Sequence, residues 1–104
     1  MGGGGAITAE AVVAALRAHE AELRAAGLRS LSVFGSVARG EAGAGSDVDL
    51  AAELDPEARV DAITVIQVER RLSEILGRPV DLVTEPVGRD RLRANLERDR
   101  VRAY

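Results

Sequence analysis

A chain of 104 residues with 46% apolar composition has the size of one domain with a single core. Aromatic residues are only 2%, so that core must be built from Ala, Val, Leu and Ile, and the absence of cysteine excludes disulfides, thiolate metal sites and thiol nucleophiles. A formal net charge of −3 provides no overall positive field to attract a nucleic-acid backbone, and no run approaches the roughly 18 apolar residues that cross a membrane.

The inventory excludes further chemistry. All 14 basic residues are arginine. Without lysine there is no Walker-type phosphate loop and no lysyl covalent intermediate. The one histidine, His19, falls in a predicted helix far from any motif, where a solvated helix-face position is expected. Asp, Glu, Ser, Tyr and Arg remain, and carboxylate-held metal ions are the natural route to catalysis with that set. No basic segment followed by an apolar one opens the chain, so no secretion signal is read and a cytoplasmic location is expected.

Residues 1–6 read as a flexible Gly-rich leader, and residues 7–104 as a single domain. A helix is predicted from Thr8 to about Ala26, with Thr8 as cap, Val12, Val13, Leu16 and Leu23 on one face, and Gly27 as its stop. Leu28 to Phe34 alternates apolar and polar positions as a strand does. Gly35 to Ser46 is expected as loop, with glycines supplying unusual backbone angles. Asp47 to Leu54 is a second predicted strand, ended by Asp55-Pro56.

A second helix is predicted from about Val60 to Leu76, on the helical recurrence of Val60, Ile63, Val68, Leu72 and Ile75. Val80 to Thr84 forms a third strand and about Arg89 to Val101 a last helix. This order implies an α/β (α+β) fold, a small mixed sheet with helices packed on one face. It leaves open whether the first two strands are antiparallel or crossed over.

The segment from Val33 to Leu54, VFGSVARGEAGAGSDVDLAAEL, concentrates the chemistry. Residues two apart on a strand point to the same side, about 6.7 Å apart, so Asp47 and Asp49 can aim at one site while Val48 enters the core. Two carboxylates that close repel unless a cation sits between them, and magnesium combines carboxylate oxygens with water and substrate phosphates. Asp81, between Val80 and Leu82, is equally out of place in an apolar run. If its strand pairs beside the second, it joins the same face; if not, it is an exposed edge-strand residue. Three acids can hold two metals roughly 3.5–4 Å apart, an arrangement suited to in-line displacement at phosphorus. A glycine directly after a strand lets backbone N–H groups approach an anion, the Ser36 hydroxyl can add a donor, and Arg39 can bring a planar charged fork to the same phosphates.

The spacing carries a family resemblance. Gly35-Ser36, the ten residues from Val37 to Ser46, and Asp47-Val48-Asp49 resemble the signature of the DNA polymerase beta nucleotidyltransferase superfamily. The ARG after GSV, the SD entry to the second strand at Ser46-Asp47, and LGRPVDLVTE after a helix resemble most closely its minimal nucleotidyltransferase (MNT) branch. The resemblance implies that Asp47 and Asp49 bind two magnesium ions and the triphosphate, and that Asp81 is a third metal ligand that helps deprotonate an attacking hydroxyl. It implies a nucleotide-binding set of Gly35, Ser36, Arg39 and Ser46. It also implies a partner, since MNT proteins are commonly antitoxins beside an all-helical HEPN ribonuclease toxin. ATP would then supply AMP to a toxin tyrosine within a hetero-oligomer, with neither membrane nor nucleic acid expected as partner. Two alternatives stand beside this: a non-catalytic antitoxin acting by complex formation, and a nucleotidyltransferase with a small-molecule acceptor.

Outside the motif, Arg89 to Arg102 holds six Arg against Asp90, Glu97 and Asp99. An ion-paired solvated helix is the expectation, with a partner surface or a phosphate contact as alternatives. Glu53 and Glu85 are expected as exposed strand-end acids rather than metal ligands, and Tyr104 as a mobile residue.

Overall fold

In the computed structural model residues 7–104 are described, and the leader expected over residues 1–6 lies outside them. The first predicted helix forms as two. Thr8 caps α1 (Ala9–Ala18) by accepting from the Ala11 N–H at 3.1 Å, and α2 spans Glu20–Ala25. His19 separates them with non-helical backbone angles, and its Nδ1 donates to the Ala15 carbonyl at 3.0 Å. The ring is half-buried at this break, not solvated on a helix face. Gly27 ends the segment at a φ of +106°, which an L side chain rarely adopts.

Next come β1 (Leu28–Phe34), α3 (Gly35–Ala38), β2 (Val48–Leu54), α4 (Ala62–Leu76), β3 (Val80–Glu85), α5 (Asp90–Asp99) and β4 (Val101–Arg102). The segment expected as loop therefore opens with a helical turn, and Asp47 sits just ahead of its strand. α4 starts at Ala62 rather than Val60 because the Asp61 carboxylate accepts from the Thr64 N–H at 2.8 Å and fixes the cap there. β4 is too short for periodicity to reveal.

The sheet order is β3-β2-β1-β4. β1 runs antiparallel to β2 and β4, which settles the open question about the first two strands, and β2 runs parallel to β3 through the α4 crossover. One sheet face presents Leu31, Val33, Val48, Leu50, Ala52 and Leu82 to Val12 and Leu16 of α1, Leu23 of α2, and Val68 and Leu72 of α4. Helices on one face thus describes α1, α2 and α4. α5 covers the other face, where Leu92 and Leu96 meet Phe34, Ala51, Val83 and Val87. Its apolar positions found a second small cluster because the strands alternate, sending every other residue to that side. Among the described residues no helix is long and apolar enough to cross a membrane.

Candidate active site

Asp49 is the second residue of β2. In the parallel ladder it lies level with Asp81 of β3, and in the antiparallel ladder level with Phe34, the last residue of β1. Neighbouring strands lie about 4.8 Å apart, so the two carboxylates start from adjacent positions on one face. Asp47, two residues before Asp49, completes the group at the strand mouth. The sheet therefore sets Asp49 and Asp81 side by side, while Asp47 stands just outside it on the approach to β2.

Their electrostatics agree with that proximity. Burial pushes the half-buried Asp49 carboxyl above its ordinary value, the charges of Asp81 and Asp47 push it further, and Arg39 pulls it back. Among the described residues no three His, Cys, Asp or Glu side chains are gathered closely enough to form a ready-made metal cage.

Gly35 adjoins Asp49 directly. It is buried, with a φ of +74°, and a Cβ built on it would collide with the Asp49 carboxylate. Glycine here serves both a left-handed backbone and a close approach between the β1–α3 turn and the acid on β2. Ser36 follows, half-buried in that turn. Arg39 closes α3 by donating its N–H to the Gly35 carbonyl at 3.1 Å. Its side chain is held between Glu41 (Nε–Oε1 2.9 Å) and Asp99 of α5 (Nη1–Oδ2 2.7 Å). Ser46 shapes the loop: its hydroxyl accepts from the Gly43 N–H at 2.8 Å. Arg78 reaches across from the α4–β3 connection to donate to the Gly43 and Ala44 carbonyls, each at 3.2 Å. Sequence reasoning missed the contributions of Arg78 and Asp99, since each depends on a contact more than thirty residues away.

Asp81 also borders an open groove of about 770 Å³ running along β3 between α4 and α5, with Ile66, Val83 and Leu92 among its walls. A second cavity of about 540 Å³, between the start of α1 and the end of α3, reaches Arg39 but none of the three acids.

Several other charged groups find structural partners. Glu53 accepts from the Ser30 hydroxyl at 2.7 Å, which holds its carboxyl below the usual range. Glu85 is not an exposed acid, since Arg100 grips both its oxygens, at 2.5 and 3.1 Å. Of the α5 arginines, Arg93 pairs with Asp90 one turn away and Arg98 with its neighbour Asp99, so the expected lacing is only partial. Tyr104, expected to be mobile, is half-buried; its hydroxyl donates to the Leu28 carbonyl at 3.3 Å, and burial pushes its pKa up to about 12.

A nucleotidyltransferase domain is matched over residues 16–103, nearly all of the described chain, and this sets the class. The chain is 42% identical over 78 residues to the protein adenylyltransferase MntA of Thermococcus cleftensis, covering 74% of this chain and 77% of that relative. A solved structure assigned as a minimal nucleotidyltransferase superposes with a TM-score of 0.74 at 30% identity, covering 91% of this chain and 95% of the other. A toxin–antitoxin crystal structure with AMP-PNP shares the fold, with a TM-score of 0.69 at 22% identity over 85% of this chain and 72% of its own. The chain belongs to the nucleotidyltransferase domain family and, within it, to the minimal MntA-like enzymes.

Proposed function

We propose that this nucleotidyltransferase transfers AMP from ATP, with magnesium, to a tyrosine of a cognate HEPN-type toxin in the cytoplasm, and so acts as its antitoxin. The observation that carries the reading is the Asp49–Asp81 register, with Asp47 ahead of it and the Gly35 turn pressed against Asp49. The donor set fits magnesium: carboxylates only, two of them on adjacent strands, with the charged form of Asp49 disfavoured by burial and then by its neighbours' charge. Asp47, Asp49 and Asp81 would hold the metal, which when bound supplies charge stabilisation at the phosphates.

The chain's own groups divide the remaining work. Gly35 and Ser36 orient the triphosphate tail at the turn, Arg39 adds a fixed positive charge, and Ser46, whose hydroxyl accepts from the Gly43 N–H, is a further nucleotide contact. The acceptor oxygen forms a bond to the α-phosphorus as the bond to pyrophosphate breaks, and the hydroxyl proton passes to the Asp81 carboxylate. The groove beside Asp81 gives a protein segment an approach that needs no second domain. Support for a protein acceptor comes from the name of the Thermococcus relative. Support for the partner comes from a fold neighbour (TM-score 0.63, 19% identity) in which a tri-AMPylated HEPN toxin of Shewanella oneidensis is bound by its MNT antitoxin.

Incubating the protein with a candidate HEPN toxin, ATP and magnesium, then weighing the toxin by mass spectrometry, tests the reading. An AMP adduct lost in Asp47→Asn and Asp81→Asn is expected. Neutralisation that persists in both variants with no adduct would establish the non-catalytic alternative instead.

A further inference from the structure

We infer that Asp99, the last residue of α5, is a positioning residue for nucleotide binding that holds Arg39 of the signature segment in place. Its side chain is only 4% exposed, an unusual place for a carboxylate, and its oxygens are engaged by two arginines. Oδ2 accepts from Arg39 Nη1 at 2.7 Å and from Arg98 Nη2 at 3.2 Å, while Oδ1 accepts from Arg98 Nε at 2.9 Å. Hydrogen bonds from Arg98 and Arg39 hold the carboxyl below its usual range, so it stays charged.

The value of this contact lies in what it does to Arg39. An arginine side chain is rich in rotamers, and that freedom is lost whenever the guanidinium must be fixed on a phosphate. Asp99 and Glu41 fix it beforehand through Nη1 and Nε, and among the described residues Nη2 has no hydrogen-bond partner. Arg39 closes the helical turn that Gly35 opens against Asp49, so the clamp fixes the guanidinium on the turn that meets the acid. α5 thereby does more than close the second apolar cluster. It ties the far end of the chain to the turn expected to cradle the triphosphate. This role rests on the proposed reading of Arg39 as a nucleotide contact.

The probe is magnesium with AMP-PNP, titrated calorimetrically into the full chain, so no acceptor is needed. Arg39→Gln and Asp99→Asn are each expected to weaken binding about tenfold, and the double variant no further than Arg39→Gln alone. Arg98→Gln breaks the same ion cluster while leaving the Arg39–Asp99 contact, and is expected to bind within about twofold of the wild type. Asp99→Glu keeps the charge and is expected to recover most of the loss; it also serves should Asp99→Asn fail to fold. Wild-type affinity in a folded Asp99→Asn beside a weakened Arg39→Gln overturns the inference and leaves the nucleotide reading standing. Additive losses in the double variant, or an equal loss in Arg98→Gln, overturn it too, as they reveal a merely structural role. Full affinity in Arg39→Gln removes both.

Discussion

The two faces of the sheet divide the labour of the molecule. Beneath α1, α2 and α4, Leu31, Val33, Val48, Leu50 and Ala52 are wholly removed from water. On the other side, the same strands carry Ser30, Ser32, Asp49, Glu53, Asp81 and Glu85, and α5 roofs only the apolar middle of them. Asp49 and Leu50 are adjacent in the chain yet stand back to back. The first face supplies stability that the second, with charges crowded at its open end, works against. Groups held at an energetic disadvantage need a rigid element behind them, and here that element is one strand thick.

Substituting those two adjacent residues should therefore give opposite results. Asp49→Asn is expected to lower kcat/KM by about a hundredfold or more, at least ~2.7 kcal/mol of transition-state stabilisation. It should also raise the melting temperature at neutral pH. The folded Asp49 carboxyl titrates above its unfolded value of 3.8, so the native state binds the proton more tightly than the unfolded chain. Its contribution to stability accordingly falls as pH rises through and above that value, and the neutral amide escapes the loss. Magnesium should raise the wild-type melting temperature and leave Asp49→Asn unmoved. Calorimetric scans with and without the metal, set beside the mass-spectrometric assay, check all three outcomes. A variant that loses both activity and stability would mean the acids hold the fold together.

Leu50→Ala should do the reverse. Leu50 is 0% exposed, and a cavity at such a site costs about 2–5 kcal/mol, a large part of the roughly 5–15 kcal/mol that a domain commands. Urea titration should show the loss, with activity per folded molecule preserved.

How much of this the sequence disclosed depended on how locally each feature is written. The Gly35-Ser36 to Asp47-x-Asp49 spacing and the misplaced acid Asp81 lie within short segments, and the strands carrying them formed within a residue of expectation. The meeting of Asp49 with Asp81 depended on strand order, which period-2 alternation cannot give. The break at His19 has no glycine or proline to announce it, because a single carbonyl contact and non-helical angles at one residue make it. α5 was recognisable as a helix, but the face it covers follows from where Leu92 and Leu96 find Phe34. Asp99 read as one more surface charge, and only the fold shows it buried against Arg39.

Gly35 and Gly77 sharpen the comparison at a smaller scale. Both hold left-handed angles, +74° and +68°, so alanine at either carries a backbone penalty of about 1–2 kcal/mol. Around Gly77 a Cβ meets nothing within 4 Å, whereas at Gly35 it strikes the Asp49 carboxylate. Gly77→Ala should thus lower the melting temperature alone, and Gly35→Ala should lower it further while also reducing adenylyl transfer. Equal activity in the two variants would show that the turn and the acid move independently.

The smallest effect is expected on the outside of the stable face, where Arg71 of α4 grips Glu22 of α2 at 2.6 and 3.1 Å. The hydrogen bonds from Arg71 hold the Glu22 carboxyl below its usual range, so the pair favours folding above the ordinary glutamate value and loses that favour as pH falls through the depressed one. Both side chains are more than 40% exposed, however, and water and salt screen such pairs almost entirely. Glu22→Gln should leave the melting temperature within experimental error at moderate salt, on the same instrument that registers Leu50→Ala as a collapse. A clear loss would mean that charges, and not the leucines beneath them, fix α2 against α4.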